Sequence, residues 1–191
     1  LKEDIRLMEK MLKKNHPSLY WYASPAQIDS AFQRAYSLAN DSMDERQFRN
    51  LLSETVNPVQ CGHTSIRFSK KYNSYVAKHR PSAFPLGLKV VDDSTLVLLS
   101  NANRRDSLLR RGMIVTAVDG LNAKQLIDTL HQLVQIDGKS KNFSYQNLSN
   151  SFSYYYHIRL GAKKNYAINY INEKGTAVTT KVPASDPSKD T

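Results

Sequence analysis

The sequence predicts an α+β protein, with a small helical domain at its start and a β-rich domain after it. Two observations predict this. Within residues 1–58, apolar residues recur at helical spacing in three stretches, each with start or stop signals. From Phe84 onward, strand-like runs alternate with turn residues, and a helical stripe directly follows an Asp-Gly pair. The order within 84–134 is a glycine loop, a strand, a hairpin, a strand ending in Asp119-Gly120, and a helix. That order suggests a module that grips an extended peptide.

The first helix is carried by Ile5, Leu7, Met8, Met11 and Leu12 within 1–15. His16-Pro17 stops it, because a proline disfavours helical geometry in the residue before it. An aromatic connector, Leu19-Tyr20-Trp21-Tyr22, leads to Ser24-Pro25-Ala26-Gln27. Here serine is placed as N-cap, proline at the first helical position, and glutamine where it closes a capping box. Ile28, Ala31, Phe32, Ala35 and Leu38 face inward in this second helix. Another box, Ser42-Met43-Asp44-Glu45, is expected to open a third, with Phe48, Leu51, Leu52, Thr55 and Val56 on one face and Pro58 at its end. Three such helices with short connections make a helical domain. Thr64, Ile66 and Phe68 alternate as in a strand, so this domain is expected to span 1–69 and to end in a Gly-His-Thr strand. Polar and basic 70–83 reads as a linker.

The second domain is expected over 84–182. Phe84-Pro85-Leu86-Gly87-Leu88-Lys89-Val90-Val91 turns at Asp92-Asp93-Ser94 and returns as Thr95-Leu96-Val97-Leu98-Leu99-Ser100. Gly112 to Gly120 gives another strand. Asn122 caps a helix over 122–134 with the stripe Leu126, Ile127, Leu130, Leu133 and Val134. Residues 137–160, rich in Asn, Ser and Tyr, lose clear periodicity and read as an ordered insertion or functional loop. Two strands, 165–171 and 176–182, are joined by Asn172-Glu173-Lys174-Gly175, a plausible hairpin turn. The polar tail 183–191 is expected to fray.

Composition narrows the function. At 191 residues the chain has room for one large or two small cores. No apolar run approaches the roughly 18–20 residues of a membrane span. The formal net charge of +10 invites an anion- or nucleic-acid-binding reading. The basic residues are scattered, however, from Lys10, Lys13 and Lys14 to Arg104, Arg105, Arg110 and Arg111, and no nucleic-acid motif accompanies them. A solvated basic surface accounts for them, and no nucleic-acid partner is expected. No metal or cofactor site is expected either. The five histidines never fall at metal-ligand spacing, and a single cysteine, Cys61, builds neither a thiolate site nor an internal disulfide. Gly138-Lys139-Ser140 resembles the end of a phosphate-binding loop, but Leu133 stands where the required earlier glycine would be. No Gly-x-Ser-x-Gly elbow presents a serine.

One cluster remains, Cys61-Gly62-His63-Thr64. A histidine beside a glycine at a strand start can aim its imidazole into a cleft as a general base. It can equally be a structural histidine at a domain junction.

Three features together resemble the front half of the C-terminal-processing (tail-specific) serine peptidases, and in particular their tricorn-like branch, found in secreted bacterial proteins. Asn15-His16-Pro17-Ser18-Leu19-Tyr20 is similar to the His-Pro-x-Leu-Tyr entry that follows a helix there. Gly62-His63-Thr64 is similar to their Asp-Gly-His-Thr motif, with Cys61 in place of the usual aspartate. Residues 84–134 resemble their PDZ domain, with Val115-Thr116-Ala117-Val118-Asp119-Gly120 for the usual Ile-x-x-Ile-Asn-Gly and Met113 where aspartate is frequent.

The resemblance implies a PDZ-like second domain, with the insertion 137–160 before its last strands, and cleavage of peptides by a serine nucleophile. It makes His63 a candidate general base. It also implies binding of a peptide or protein C-terminus by strand addition. Leu86, Gly87 and Leu88 would then form an amide nest for the carboxylate. Leu88, Lys89, Val90 and Val91 would be the receiving strand, and the helix bearing Ile127 and Leu130 the facing wall. The alternative is that Leu86 and Leu88 pack the core and the insertion fills the groove. The α/β domain carrying the nucleophile has no counterpart in these residues, and a base without its nucleophile forms no acyl-enzyme. This polypeptide alone is therefore expected to be inactive, with that catalytic domain as its partner. The expected location is periplasmic, cell-surface or secreted, although the chain opens Leu1-Lys2-Glu3 without a targeting segment. A stand-alone PDZ-like interaction module is the other functional class these features allow.

Overall fold

The computed structural model describes residues 1–104 and 106–186. The expected tail thus lies partly outside the described residues, as does Arg105 of the basic set. The architecture is α+β, of helices and one antiparallel sheet. The chain divides into two compact units, Leu1–Asn73 with Gln132–Ser140, and Ser74–His131 with Lys141–Thr191.

The first unit is built on α1 (Lys2–Asn15), α2 (Pro25–Leu38) and α3 (Glu45–Val56). Ile5, Leu19, Ile28, Phe32, Leu51, Val56 and Val59 share one core. The Ser24 box closes as the sequence dictates: the Gln27 amide donates to Ser24 Oγ at 3.3 Å, and Gln27 Oε1 accepts from the Ser24 amide at 2.8 Å. The second box sits two residues later than expected. Ser42 is taken up by the Asn40 side chain, which accepts from both its amide and its hydroxyl. Asp44 caps α3 instead, with Gln47 as its reciprocal partner. A side chain engaged in a local turn cannot also cap.

Two expectations about the end of this unit need correction. Residues 64–68 keep the alternating burial of a strand but join no sheet. Side chains replace the ladder: Arg49 Nε donates to the Ile66 carbonyl at 3.0 Å, and the Ser69 amide donates to Glu45 Oε1 at 2.7 Å. Period two reports an extended backbone, and pairing is a separate matter. The expected linker contains a helix, α4 (Lys70–His79), with no buried residue. Ser69 starts it, its Oγ accepting from the Tyr72 amide at 3.0 Å.

The second unit is a sheet in the order β1-β2-β3-β5-β6. Its strands are β1 (Leu86–Val90), β2 (Leu96–Asn101), β3 (Ile114–Val118), β5 (Asn165–Ile171) and β6 (Ala177–Pro183), and the short β4 (Leu121–Asn122) pairs with β3. Every pairing is antiparallel. Asp119 and Gly120, with φ of 49° and 86°, make the tight β3–β4 turn that needs two left-handed residues. Asn122 and Gln125 cap α5 (Ala123–His131) reciprocally. The helix ends three residues before the expected Val134, and Leu133 and Val134 are nonetheless buried.

The insertion is helical, α6 (Lys141–Asn150) and α7 (Phe152–Leu160). Four of its buried residues, Ser144, Leu148, Phe152 and Tyr156, are spaced by four, and Ile158 is buried beside them. Two of the four are polar in type, so a search for apolar periodicity passes over them.

Candidate functional site

β1 ends the sheet, so among the described residues one of its edges has no strand partner, apart from an isolated antiparallel bridge between Ala83 and Ser185 just ahead of it. Leu86, Leu88 and Val90 point into the core at 3% exposure or less, as do Ile127 and Leu130 on α5. Lys89 and Val91 are exposed. Gly87 faces β2 at the bulge between Gly87 and Leu88, where a Cβ would meet the Ser100 hydroxyl and require it to rotate away. Instead of lining an open channel, the apolar residues named for the groove fill the core. The insertion lies over the free edge. The Val90 amide donates to Ser149 Oγ of α6 at 2.9 Å, and Ser153 Oγ of α7 donates to the Phe84 carbonyl at 3.0 Å. Where α6 meets α7, a cleft of about 360 Å³ remains, bounded by residues 84–87 and 149–154.

The same unit holds a polar hub at Asp119, a residue the sequence marks only as a strand end within the PDZ-like motif. Asp119 Oδ2 accepts from Tyr156 Oη and from Lys163 Nζ, both at 2.7 Å, and Oδ1 accepts from the Ala167 amide at 2.8 Å. Burial works to raise the Asp119 pKa, but hydrogen bonds from Lys163, Ala167 and Tyr156 outweigh it, so the carboxyl titrates below its ordinary value. Burial first, and then the bond to Asp119, push the Tyr156 hydroxyl far up. Asp119→Ala is expected to destabilise this unit by about 3 kcal/mol, because it orphans a buried hydroxyl and an amide and puts alanine at a left-handed position. Asp119→Asn, which tolerates that geometry, should cost about half as much. Urea unfolding at an unchanged m-value checks both.

α6 is fixed by polar side chains. Lys141 Nζ and Tyr145 Oη both bond Asp93 in the β1–β2 turn, and Ser144 Oγ lies 2.6 Å from His131 Nδ1 at the end of α5. Lys141 and Tyr145 hold the Asp93 carboxyl below its ordinary pKa. Burial drives the His131 pKa down. Asp128 and Asp93 oppose that shift, and Lys141 adds to it. As pH falls, the unfolded chain therefore protonates His131 before the folded chain does. The stability owed to neutral His131 is complete above its ordinary value of 6.5 and is lost as pH falls from there through the lower folded value. Thermal unfolding of the wild type should thus weaken between pH 7.5 and pH 5, and His131→Gln should flatten that slope.

In the first unit, Cys61 to Thr64 form a turn closed by the Thr64 amide donating to the Cys61 carbonyl at 3.0 Å. Its backbone is pinned from outside. The Gly62 amide donates to Asp137 Oδ1 at 2.7 Å, and the Gly138 amide donates to the Gln60 carbonyl at 2.9 Å. His16 Nε2 bonds Thr64 Oγ1 at 2.8 Å. A Cβ on Gly62 would stand 3.1 Å from Asp137 Oδ2, so glycine admits the carboxylate. The His63 side chain is exposed, and its ring makes no hydrogen bond among the described residues. It is an exposed imidazole on a turn whose neighbours Gly62 and Thr64 are held by Asp137 and His16. Sequence reasoning missed Asp137 and His16 as anchors of this turn. In the sequence Asp137 stands at the start of the expected insertion, and His16 belongs to a helix stop and to the His-Pro-x-Leu-Tyr stretch. Among the described residues, no three His, Cys, Asp or Glu side chains gather as for a metal.

No protein-family profile matches the sequence, and no curated protein matches it. Solved structures do. A crystal structure of a CPAF point mutant matches at TM-score 0.63 and 15% identity, covering 96% of this chain and 33% of that one. Mature CPAF matches with lactacystin bound, at TM-score 0.61 and 12% identity, and alone, at 0.59 and 14%. CPAF is a chlamydial serine protease. At such identities the likeness carries the fold alone, and the chain spans about a third of the length of those structures.

Proposed function

We propose that this chain is the front portion of a serine peptidase of the tail-specific type, secreted or periplasmic, which holds peptide C-termini for cleavage by a nucleophile outside these residues. The observation that carries the reading is the fold likeness, which runs along 96% of the chain and covers 33% of a serine protease. The Gly-His-Thr turn and the PDZ-like order of β1, β2, β3 and α5 support it. In this reading His63 is the general base. The edge of β1 receives the peptide backbone, and the amides of Leu86, Gly87 and Leu88 face its carboxylate. Ile127 and Leu130, packed in the core, support that edge from within. The chain's own residues bind, orient and accept a proton, while bond cleavage belongs to the partner domain.

The test is turnover by the full-length polypeptide of matched peptides with free and amidated C-termini. The free acid should be cleaved with a kcat/KM at least roughly tenfold higher, the scale of one charge-assisted hydrogen bond. Equal rates would remove carboxylate capture, and cleavage of neither would remove the peptidase reading.

A further inference from the structure

We infer that α6 is a displaceable cover over the peptide-receiving edge of β1, so that the groove is closed at rest and opens when α6 swings out. The inference rests on the groove reading above and adds to it the regulation of that site.

The argument begins with what holds α6. A free strand edge asks for backbone partners along its length, and a helix, whose own amides and carbonyls bond internally, offers only side chains. At Val90 the partner is a serine hydroxyl. The other attachments, to Asp93, to His131 and from Tyr155 Oη of α7 to Asn147 Oδ1 at 2.8 Å, are also single side-chain bonds, and those to Asp93 lie at the surface. Apolar burial contributes little: Leu148 is the one apolar side chain that α6 buries fully, and Phe143 is half exposed. α7 is the opposite case. It buries Phe152, Tyr156 and Ile158, and two of its rings pack against Phe84. A segment with few buried apolar contacts, next to one with many, is the part that opens first.

The geometry gives α6 room to move alone. Ser151 breaks the helix between α6 and α7 with φ −132° and ψ 31°, and Gly138 stands in the left-handed region three residues before Lys141. The cleft at 84–87 and 149–154 lies under the first of these breaks. An extended peptide would replace the Ser149 bond with a ladder of backbone bonds. Its apparent affinity would be reduced by the fraction of molecules in which α6 is already out.

The experiment follows backbone amide hydrogen exchange in the full chain, wild type and Asp93→Asn/Ser149→Ala, with and without a decapeptide ending in a free-acid valine. In the variant, the amides of α6 and of Val90 should exchange about tenfold faster, with those of α7 and β5 unchanged. Peptide affinity should rise by the same factor. In the wild type the same amides should open by a sub-global route with a shallow urea dependence, a readout that needs no variant. If α6 exchanges only together with α7 and β5, at the rate of global unfolding, the cover is overturned. If α6 opens as expected but the peptide still fails to bind, the groove reading fails instead, and α6 covers something other than a peptide site.

Discussion

Replacing His63 by alanine in the full-length polypeptide is expected to lower peptide turnover by about 10²–10⁴-fold, the usual contribution of a general base. The same change should leave the stability of the first unit within about 0.5 kcal/mol of wild type, as for an exposed side chain without a structural task. The separation is possible because the turn does not depend on the ring it carries. Gly62 is held by Asp137, the Gln60 carbonyl by the Gly138 amide, and Thr64 by His16. His16→Ala removes one of those anchors. If His63 is the base, that variant should lose turnover through misplacement, with more effect on kcat than on KM. Unchanged turnover in His63→Ala would return the residue to the protein surface. Lost turnover accompanied by a lowered urea midpoint would point to a structural histidine.

The dependence of this turn on Asp137 shows where sequence reasoning stops. Signals that act between near neighbours were legible: the Ser24 box, the Asn122–Gln125 cap, the strand end at Asp119-Gly120 and the β5–β6 hairpin all stand where the residues put them. Each is local hydrogen-bond chemistry with a narrow choice of residue types. The misses have two physical causes. Residues 64–68 and α4 are fixed by side chains such as Arg49 and Glu45, which lie about twenty positions away and leave no periodic trace. α6 and α7 were obscured because Ser144 and Tyr156 serve as buried positions, each with a hydrogen-bond partner, His131 and Asp119. A polar residue with a partner can be core, and hydropathy alone does not see the partner. The candidate site divides in the same way. The strand and helix that would form the groove were legible, and the helix lying over the strand was not.

Phe84→Ala should be the most destabilising single change in the second unit, at about 3–5 kcal/mol. Phe84 is 3% exposed. Its ring centroid lies 4.7 Å from that of Tyr156, 5.0 Å from Tyr166 and 5.7 Å from Phe152, so one side chain joins β5 to α7 just ahead of β1. Removing it leaves a cavity among rigid rings that cannot collapse to fill it, which is the condition for the upper part of that range. Phe84→Leu keeps much of the volume but loses the ring-on-ring geometry, and should cost clearly less. The pair separates packing from backbone effects, because the Phe84 carbonyl that accepts from Ser153 is present in both variants. Urea unfolding of the two proteins gives the costs. Hydrogen exchange then shows whether the alanine variant frees α7 as well as α6. If it does, the ring cluster is what keeps α7 in place while α6 moves. A cost below about 1 kcal/mol for alanine would mean that α7 is held by the Asp119–Tyr156 bond and its neighbours instead of by the rings.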